Sequence, residues 1–446
     1  MKMGGKENLG VKISFYGGVN EVGGNKILIE DNGTKVFFDF GASFTLRDRF
    51  YSTPFLSPKS GSELVKIGLL PNLRGIYHFD ESERCVDAVF LSHSHMDHSA
   101  HLSFLRRDIP VYCGETTALI LNTLNEARPT NVEFNLRGVT FRKFRTGDRI
   151  KIDSIEVTPI HVDHSVPGSY GFIIYTSSGP IVYTGDFRRH GQRPELTEDF
   201  LTASAKEKPE AVICEHTNMT EIEVSSEREV MEKLNVIVGK TSGLVLTEFA
   251  YTDIDRLRSL YEIASKNNRR LVVTTKQAYL LYILSSDCHL KTPDLKDVLI
   301  FQKEKKRYFQ WEQKVMNYGE IISPQEVSVR QREIVMCLPF FDLNWLVEIS
   351  PLSGSCYILS ASEPFNEEME IDFNRLVSWL EYYGLPQYYI HVSGHITPIH
   401  LREFLEAVKP KRIFPIHGEY PKLFSKFLGD LDSKIILPEK GEVYEI

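Results

Sequence analysis

The residues best equipped for chemistry lie in His93-Ser94-His95-Met96-Asp97-His98, three histidines and an aspartate within six positions. Neutral imidazoles and carboxylates together suit zinc, and a catalytic zinc keeps one position open for water. A single histidine on a loop is most often a satisfied core residue; this density of ligand types is not what packing alone selects. Further on come His164 in Val162-Asp163-His164, Asp186 directly after Gly185, and Glu215 in Glu215-His216-Thr217. His391 and His395 form a His-x-x-x-His pair, and His417 precedes Gly418. Each follows an apolar, β-prone run and so reads as standing at a strand end. An aspartate placed as Asp186 is can bridge two metals.

The elements that must position these residues are legible in outline. Residues 86–91 read as a buried strand, and residues 102–107 have helical spacing with a basic end before Pro110. Residues 12–16 alternate like a strand. Residues 26–30 and 35–39 pair around Asp31-Asn32-Gly33-Thr34 as a hairpin, with Asp39 at its end. Gly17-Gly18 and Gly23-Gly24 bracket a loop that matches neither phosphate-binding glycine pattern. Residues 42–83 read as a long loop, and 116–126 as a helix between two strands. From about 222 to 355 strand and helix alternate, the mark of a parallel sheet covered by helices and hence of a separate α/β unit inserted into the first. Within it, Lys303-Glu304-Lys305-Lys306-Arg307 reads as a solvated helix face. A strand over 388–395 that ends in the His-x-x-x-His pair, a helix over 401–408 and a strand over 412–417 then return to the metal theme.

Composition bounds the class. A chain of 446 residues, 42% hydrophobic and 25% charged, fits two or three globular domains. No apolar run approaches the ~18 residues that span a bilayer, and residues 1–8 lack the apolar core of a signal peptide. The six cysteines are scattered without a Cys-x-x-Cys pair, which predicts free thiols in a reducing compartment, the cytoplasm. The net charge of −8 does not advertise a nucleic-acid binder. A polyanionic substrate would need metals and a local basic groove.

His-x-His-x-Asp-His after a strand resembles the metallo-β-lactamase superfamily. The whole order, with the single His164, Asp186, Glu-x-Thr at 215–217, the α/β insertion, Ser393-Gly394-His395 and His417-Gly418-Glu419, resembles the β-CASP nucleases. Gly23-Gly24-Asn25, His391-Val392-Ser393-Gly394-His395 and Pro415-Ile416-His417-Gly418-Glu419 are most similar to the ribonuclease J group, in a short form like its archaeal branch. The resemblance implies an α/β fold, a metallo-β-lactamase αββα sandwich (1–221 and 356–446) interrupted by a β-CASP domain (222–355). It implies that His93, His95, His164 and Asp186 hold one zinc and that Asp97, His98, Asp186 and His417 hold a second, with manganese as a substitute. Asp39 supports the metal loop. The resemblance further implies that a water activated between the metals would attack phosphorus in line, with Asp97 counted among the catalytic residues. His395, oriented by Glu215, protonates the leaving group. His391, Ser393 and the Gly394 amide touch a substrate phosphate.

The expectation is therefore a two-zinc hydrolase acting on single-stranded RNA, a 5′-to-3′ exoribonuclease preferring 5′-monophosphate ends, with no membrane partner. A homodimer stays open, because bacterial members dimerise with the help of a further C-terminal domain. An RNA or DNA endonuclease of the same family is the nearest rival. A small-molecule metallohydrolase would explain neither the insertion nor the Glu215/His395 pair, and an inactive scaffold would have lost ligands.

Overall fold

A computed structural model describes residues 10–52, 55–127, 131–220, 225–361 and 367–446. The chain forms two compact units, Met1–Ile222 with Gly394–Ile446, and Glu223–Ser393. The expected first border, at 221–222, and the signal-free start, at 1–8, lie outside the described residues.

The first unit is built on two sheets of seven strands. The hairpin expected at its start joins Lys26–Asp31 to Thr34–Phe38, and Asn32 (φ 48°) and Gly33 (φ 90°) both take the left-handed backbone that a tight two-residue hairpin turn requires. Beyond it the sheet turns parallel, through Ala88–Leu91, Val111–Gly114 and Phe141–Phe144. The second sheet carries Ile155–His161, Tyr170–Thr176, Gly179–Tyr183, Ala211–Glu215 and Arg412–Ile416. Ile13, Phe15, Phe38 and Phe90 of one sheet and Phe172, Tyr183, Ile213 and Phe414 of the other close a common core. Phe38 lies 5.6 Å from Phe90 and 5.5 Å from Phe172, centroid to centroid. Pro194–Glu207 and Pro398–Val408 cover the outer face of the second sheet through Phe200 and Phe404, and Glu115–Ala127 packs on the first. The layers run helix, sheet, sheet, helix: the αββα sandwich.

The second unit holds one parallel sheet of seven strands with helices between them. It extends past the expected limit of 355. Cys356–Leu359 pairs with Val245–Glu248, and Gln387–Tyr389 pairs with Cys356–Leu359, so both belong to the inserted sheet and the return falls at Gly394. Two local expectations also change. The helix expected over 102–107 is a short 3-10 segment, Ala100–Phe104, continuing the one-turn helix Met96–Ser99. Lys303–Arg307 is not helical; it connects Leu299–Phe301 to the helix Gln310–Met316. No helix among the described residues is long and apolar enough to cross a membrane, and all six cysteines are free thiols.

Candidate active site

Each ligand-type side chain of the first unit sits where a buried strand stops. Ala88–Leu91 delivers His93 and His95, and the turn Met96–Ser99 brings Asp97 and His98 together. His164 follows Ile155–His161, Asp186 follows Gly179–Tyr183, Glu215 ends its strand, and His417 follows Arg412–Ile416. Asp39 (φ 57°) and His417 (φ 55°) hold left-handed backbone. That conformation costs roughly 1–3 kcal/mol in a residue other than glycine, and hydrogen bonds from Asp39 N to Phe90 O (2.8 Å) and from His417 N to Gly18 O (2.7 Å) oppose it. The glycines of the early loops serve close approach. A Cβ on Gly41 would meet the Asp97 carbonyl oxygen at 1.6 Å, and one on Gly23 would meet the Asp97 Cβ at 2.5 Å.

One donor atom each from His93, His95, His164 and Asp186 lies within 4.8 Å of the others, and the same holds for Asp97, His98, Asp186 and His417. In the first group, His95 Nδ1 is 3.0 Å from His93 Nε2 and 3.2 Å from His164 Nε2. His93 Nδ1 faces Ser92 Oγ at 3.0 Å, and His164 Nδ1 donates to the Gly394 carbonyl at 2.6 Å. With the protons there, the Nε2 lone pairs of His93 and His164 turn inward. Burial pushes both imidazoles well below their ordinary pKa and pushes His95 down to about 4, so all three are neutral. Neutral lone pairs this close repel unless a cation lies among them. Nitrogens ~2.0–2.1 Å from a tetrahedral zinc stand roughly 3.3–3.4 Å apart.

The second group is an anionic cluster. Asp186 Oδ2 is 3.1 Å from His98 Nε2 and 3.5 Å from His417 Nε2, and Asp97 Oδ2 is 3.1 Å from His417 Nε2. Burial opposes charge on His98, yet Asp186, Asp97 and Asp39 outweigh it and hold the imidazole well above its usual range. Asp97 and Asp186 are drawn below the carboxylate range in spite of burial, Asp97 chiefly by His98 and Asp186 chiefly by His417 and His98. Asp186 Oδ1 is buried with no hydrogen-bond partner among the described residues. Buried carboxylates and inward nitrogens in this number fit cations, with Asp186 common to both groups.

Behind the ligand-type residues stands Asp39. It accepts from His98 Nδ1 (2.7 Å), Ser92 N (2.7 Å), Ser92 Oγ (2.8 Å) and Tyr183 OH (2.5 Å). A carboxylate so placed fixes the tautomer and orientation of a ligating imidazole.

Glu215 is the second hub. Its Oε2 accepts from His395 Nδ1 at 3.0 Å and from Thr217 Oγ at 2.6 Å, and its Oε1 accepts from Phe187 N at 3.1 Å and Ile396 N at 3.3 Å. Thr217 Oγ also lies 2.9 Å from His417 Nδ1. Asn218 Nδ2 donates to the His395 carbonyl at 2.8 Å. Burial opposes charge on His395, but Glu215 and Asp186 prevail and raise its pKa to about 9. A proton donor held protonated at neutral pH is what general acid catalysis needs.

His391 and Ser393, both half-buried, close the second unit after Gln387–Tyr389, and Gly394 opens the return to the first. In the second unit the Ile390 carbonyl is held by Ser360 Oγ (2.6 Å) and Arg256 Nη1 (3.3 Å), and Arg256 is paired in the interior with Glu227 through both carboxylate oxygens (2.9 and 3.0 Å). Sequence reasoning gave no role to Thr217, Asn218, Ser92 or Tyr183. Thr217 carried a signal, standing two residues after the carboxylate; Tyr183 reads in sequence as one more core aromatic.

Fold and donor set together define a metal-dependent hydrolase of the metallo-β-lactamase fold. Residues 76–203 match the beta-lactamase superfamily domain, and residues 387–425 match the Zn-dependent metallo-hydrolase RNA specificity domain. Ribonuclease J of Mycoplasma pneumoniae is 27% identical, covering 92% of this chain and 68% of that protein. Ribonuclease J 2 of Streptococcus pyogenes serotype M3 is 25% identical (97% and 75% covered), and ribonuclease J2 of Bacillus subtilis is 25% identical (100% and 76%). A crystal structure of a protein of unknown function from Enterococcus faecalis V583 superposes with a TM-score of 0.78 over 98% of this chain and 100% of that one, at 22% identity. These matches make the chain similar, over nearly its whole length, to the β-CASP nucleases of the ribonuclease J group.

Proposed function

We propose that this protein is a zinc-dependent ribonuclease that degrades single-stranded RNA from its 5′ end and prefers a 5′-monophosphate. The observation that carries the reading is the Glu215–His395 pair standing beside two donor groups that share Asp186. Cations in those groups supply Lewis-acid charge and an activated water for in-line attack on phosphorus. His93, His95, His164 and Asp186 would hold one, and Asp97, His98, Asp186 and His417 the other; the nitrogen-rich first group favours zinc, and the second also tolerates manganese. His395 Nδ1–H is tied to Glu215 at 3.0 Å, and the imidazolium would pass its other ring proton to the leaving oxygen. Glu215 sets that orientation and stabilises the imidazolium. The RNA specificity description of residues 387–425 and the ribonuclease names of the relatives support RNA as the substrate.

The 5′ preference rests on His391, Ser393 and Gly394. In this reading two side-chain donors and a bare amide receive a terminal phosphate through charge-assisted hydrogen bonds. Gly394 is required there, since a Cβ would stand 2.8 Å from Ser165 Oγ and 3.0 Å from His164 Cε1. The test is a time course on end-labelled RNA carrying 5′-phosphate or 5′-hydroxyl. A contact to a charged group is worth ~1.5–3 kcal/mol, so the phosphorylated end should be preferred by about tenfold or more. Mononucleotides should leave from that end, and His391→Ala and Ser393→Ala should erase the preference. Equal rates on both ends, or ladders that start from the 3′ end, would leave an endonuclease instead.

A further inference from the structure

The basic run Lys303–Arg307 takes no part in the site above. Every strand pair in the inserted sheet is parallel, so all connections that follow strands leave from one edge, the edge at which Gln387–Tyr389 leads into His391. Ligands of open α/β sheets bind at that edge, above all where the strand order reverses. Here the reversal falls at Ile334–Cys337: Arg270–Thr274, Leu299–Phe301 and Glu320–Ile322 lie on one side of it, and Val245–Glu248, Cys356–Leu359 and Gln387–Tyr389 on the other.

The connection leaving Ile334–Cys337 carries Phe341, 87% exposed. That exposure is not slackness. Phe340 N donates to Glu248 Oε1 at 2.9 Å, the Phe340 ring packs on the core, and Lys303 Nζ is held to Asp342 at 2.5 Å. The residues on both sides of Phe341 are thus anchored while its own ring faces solvent. On the neighbouring connection Phe309 is 67% exposed and stacks on Trp311 at 6.4 Å. Lys303 is neutralised by Asp342 and Lys305 by Glu312. Lys306 and Arg307 are exposed and have no acidic partner among the described residues. Exposed rings on two connections of the same sheet edge, with unpaired cations on one of them, in a chain of net charge −8, match one ligand chemistry. Single-stranded nucleic acid offers a π-face at every base and a negative charge at every linkage.

We propose that Phe341 and Phe309, with Lys306 and Arg307, form a base-stacking track that holds the single strand beyond the end received at His391. The track rests on the RNA reading above and adds to it a surface on the second unit. Three interstrand steps separate the strand before Phe341 from the strand before His391, roughly 14 Å at ~4.8 Å a step. Five separate the strand before Phe309 from it, roughly 24 Å. A dinucleotide, with ~3.4 Å between stacked bases, cannot reach from His391 to Phe341; a strand of about ten nucleotides can reach both rings.

The test measures binding by fluorescence anisotropy to the metal-loaded full chain. The probes are 5′-phosphorylated phosphorothioate RNAs, slow to hydrolyse, of two and about ten nucleotides. Phe341→Ala should weaken the longer RNA roughly five- to hundredfold, the range of one lost base stack, and leave the dinucleotide unchanged. Phe341→Trp should restore the affinity, and the double change Lys306→Ala, Arg307→Ala should flatten the salt dependence for the longer strand alone. Wild-type affinity of Phe341→Ala for the longer RNA, or equal losses on both lengths, overturns the track and leaves the proposed function standing. A wild-type chain that binds neither RNA overturns both.

Discussion

Glu215 Oε2 accepts from His395 Nδ1 at 3.0 Å and from Thr217 Oγ, which stands 2.9 Å from His417 Nδ1. One carboxylate thereby ties the candidate proton donor to a candidate metal ligand. Glu215, His395 and His417 also bring one donor atom each within 4.8 Å of the others, so the geometry would admit His395 as a ligand too. Mutation separates the roles. His395→Ala should lose roughly 10²–10⁴-fold in cleavage rate, the usual worth of a general acid, with its metal content unchanged. A lost equivalent of metal on elemental analysis would make His395 a ligand and remove it as the acid.

Two donor groups sharing Asp186 predict about two equivalents of metal in protein prepared without chelator. His164→Ala breaks only the first group and should bring the content toward one. Saturation of the wild-type chain at a single equivalent would sink the two-metal reading, whatever the activity.

Asp39 touches no metal position itself and holds His98 from behind. Asp39→Asn keeps the size but replaces one carboxylate oxygen by a donor, where Ser92 and Tyr183 already donate. Metal affinity should fall about 10–100-fold, the usual cost of losing such a partner. Competition with a chromophoric chelator reads it directly, and an unchanged affinity would show that His98 is oriented by other contacts.

The second unit supplies a pH-dependent stability. Burial, with Glu227 adding to it and Arg256 opposing, raises the Asp253 carboxyl to about 7. An unfolded aspartate titrates near ~3.9. The native state therefore binds more protons between those values, and this residue's contribution to stability falls as pH rises from about 4 to about 7. Asp253→Asn keeps the acceptor that caps Arg256 N at 2.9 Å and removes the charge. Its denaturation midpoint, relative to wild type, should rise across that window and level off above it. Parallel midpoint curves for the two proteins would place the ionisation of Asp253 elsewhere.

The sequence alone determined the ligand-type residues and their elements. His93 to His98, His164, Asp186, Glu215 and His417 could be picked out because each follows a short apolar run, and strand ends are readable from local pattern. The alternation of strand and helix likewise announced a parallel sheet in the second unit. Other features lay beyond local pattern. That Cys356–Leu359 extends the inserted sheet depends on pairing with Val245–Glu248, more than a hundred residues earlier in the chain, and Gln387–Tyr389 joins through Cys356–Leu359. Apolar strands carry no label saying which sheet they will join. The contacts that complete the Asp39 and Glu215 hubs were hidden for the same reason. Tyr183 and Asp39, 144 residues apart, meet only when two sheets close on one core, and Thr217 finds His417 across 200 residues. Phe341 reads in sequence as one more core aromatic, and only the anchoring of its neighbours at the strand-order reversal turns its ring outward. Composition and spacing fix which atoms can do chemistry; the meeting of strand ends fixes which of them face one another.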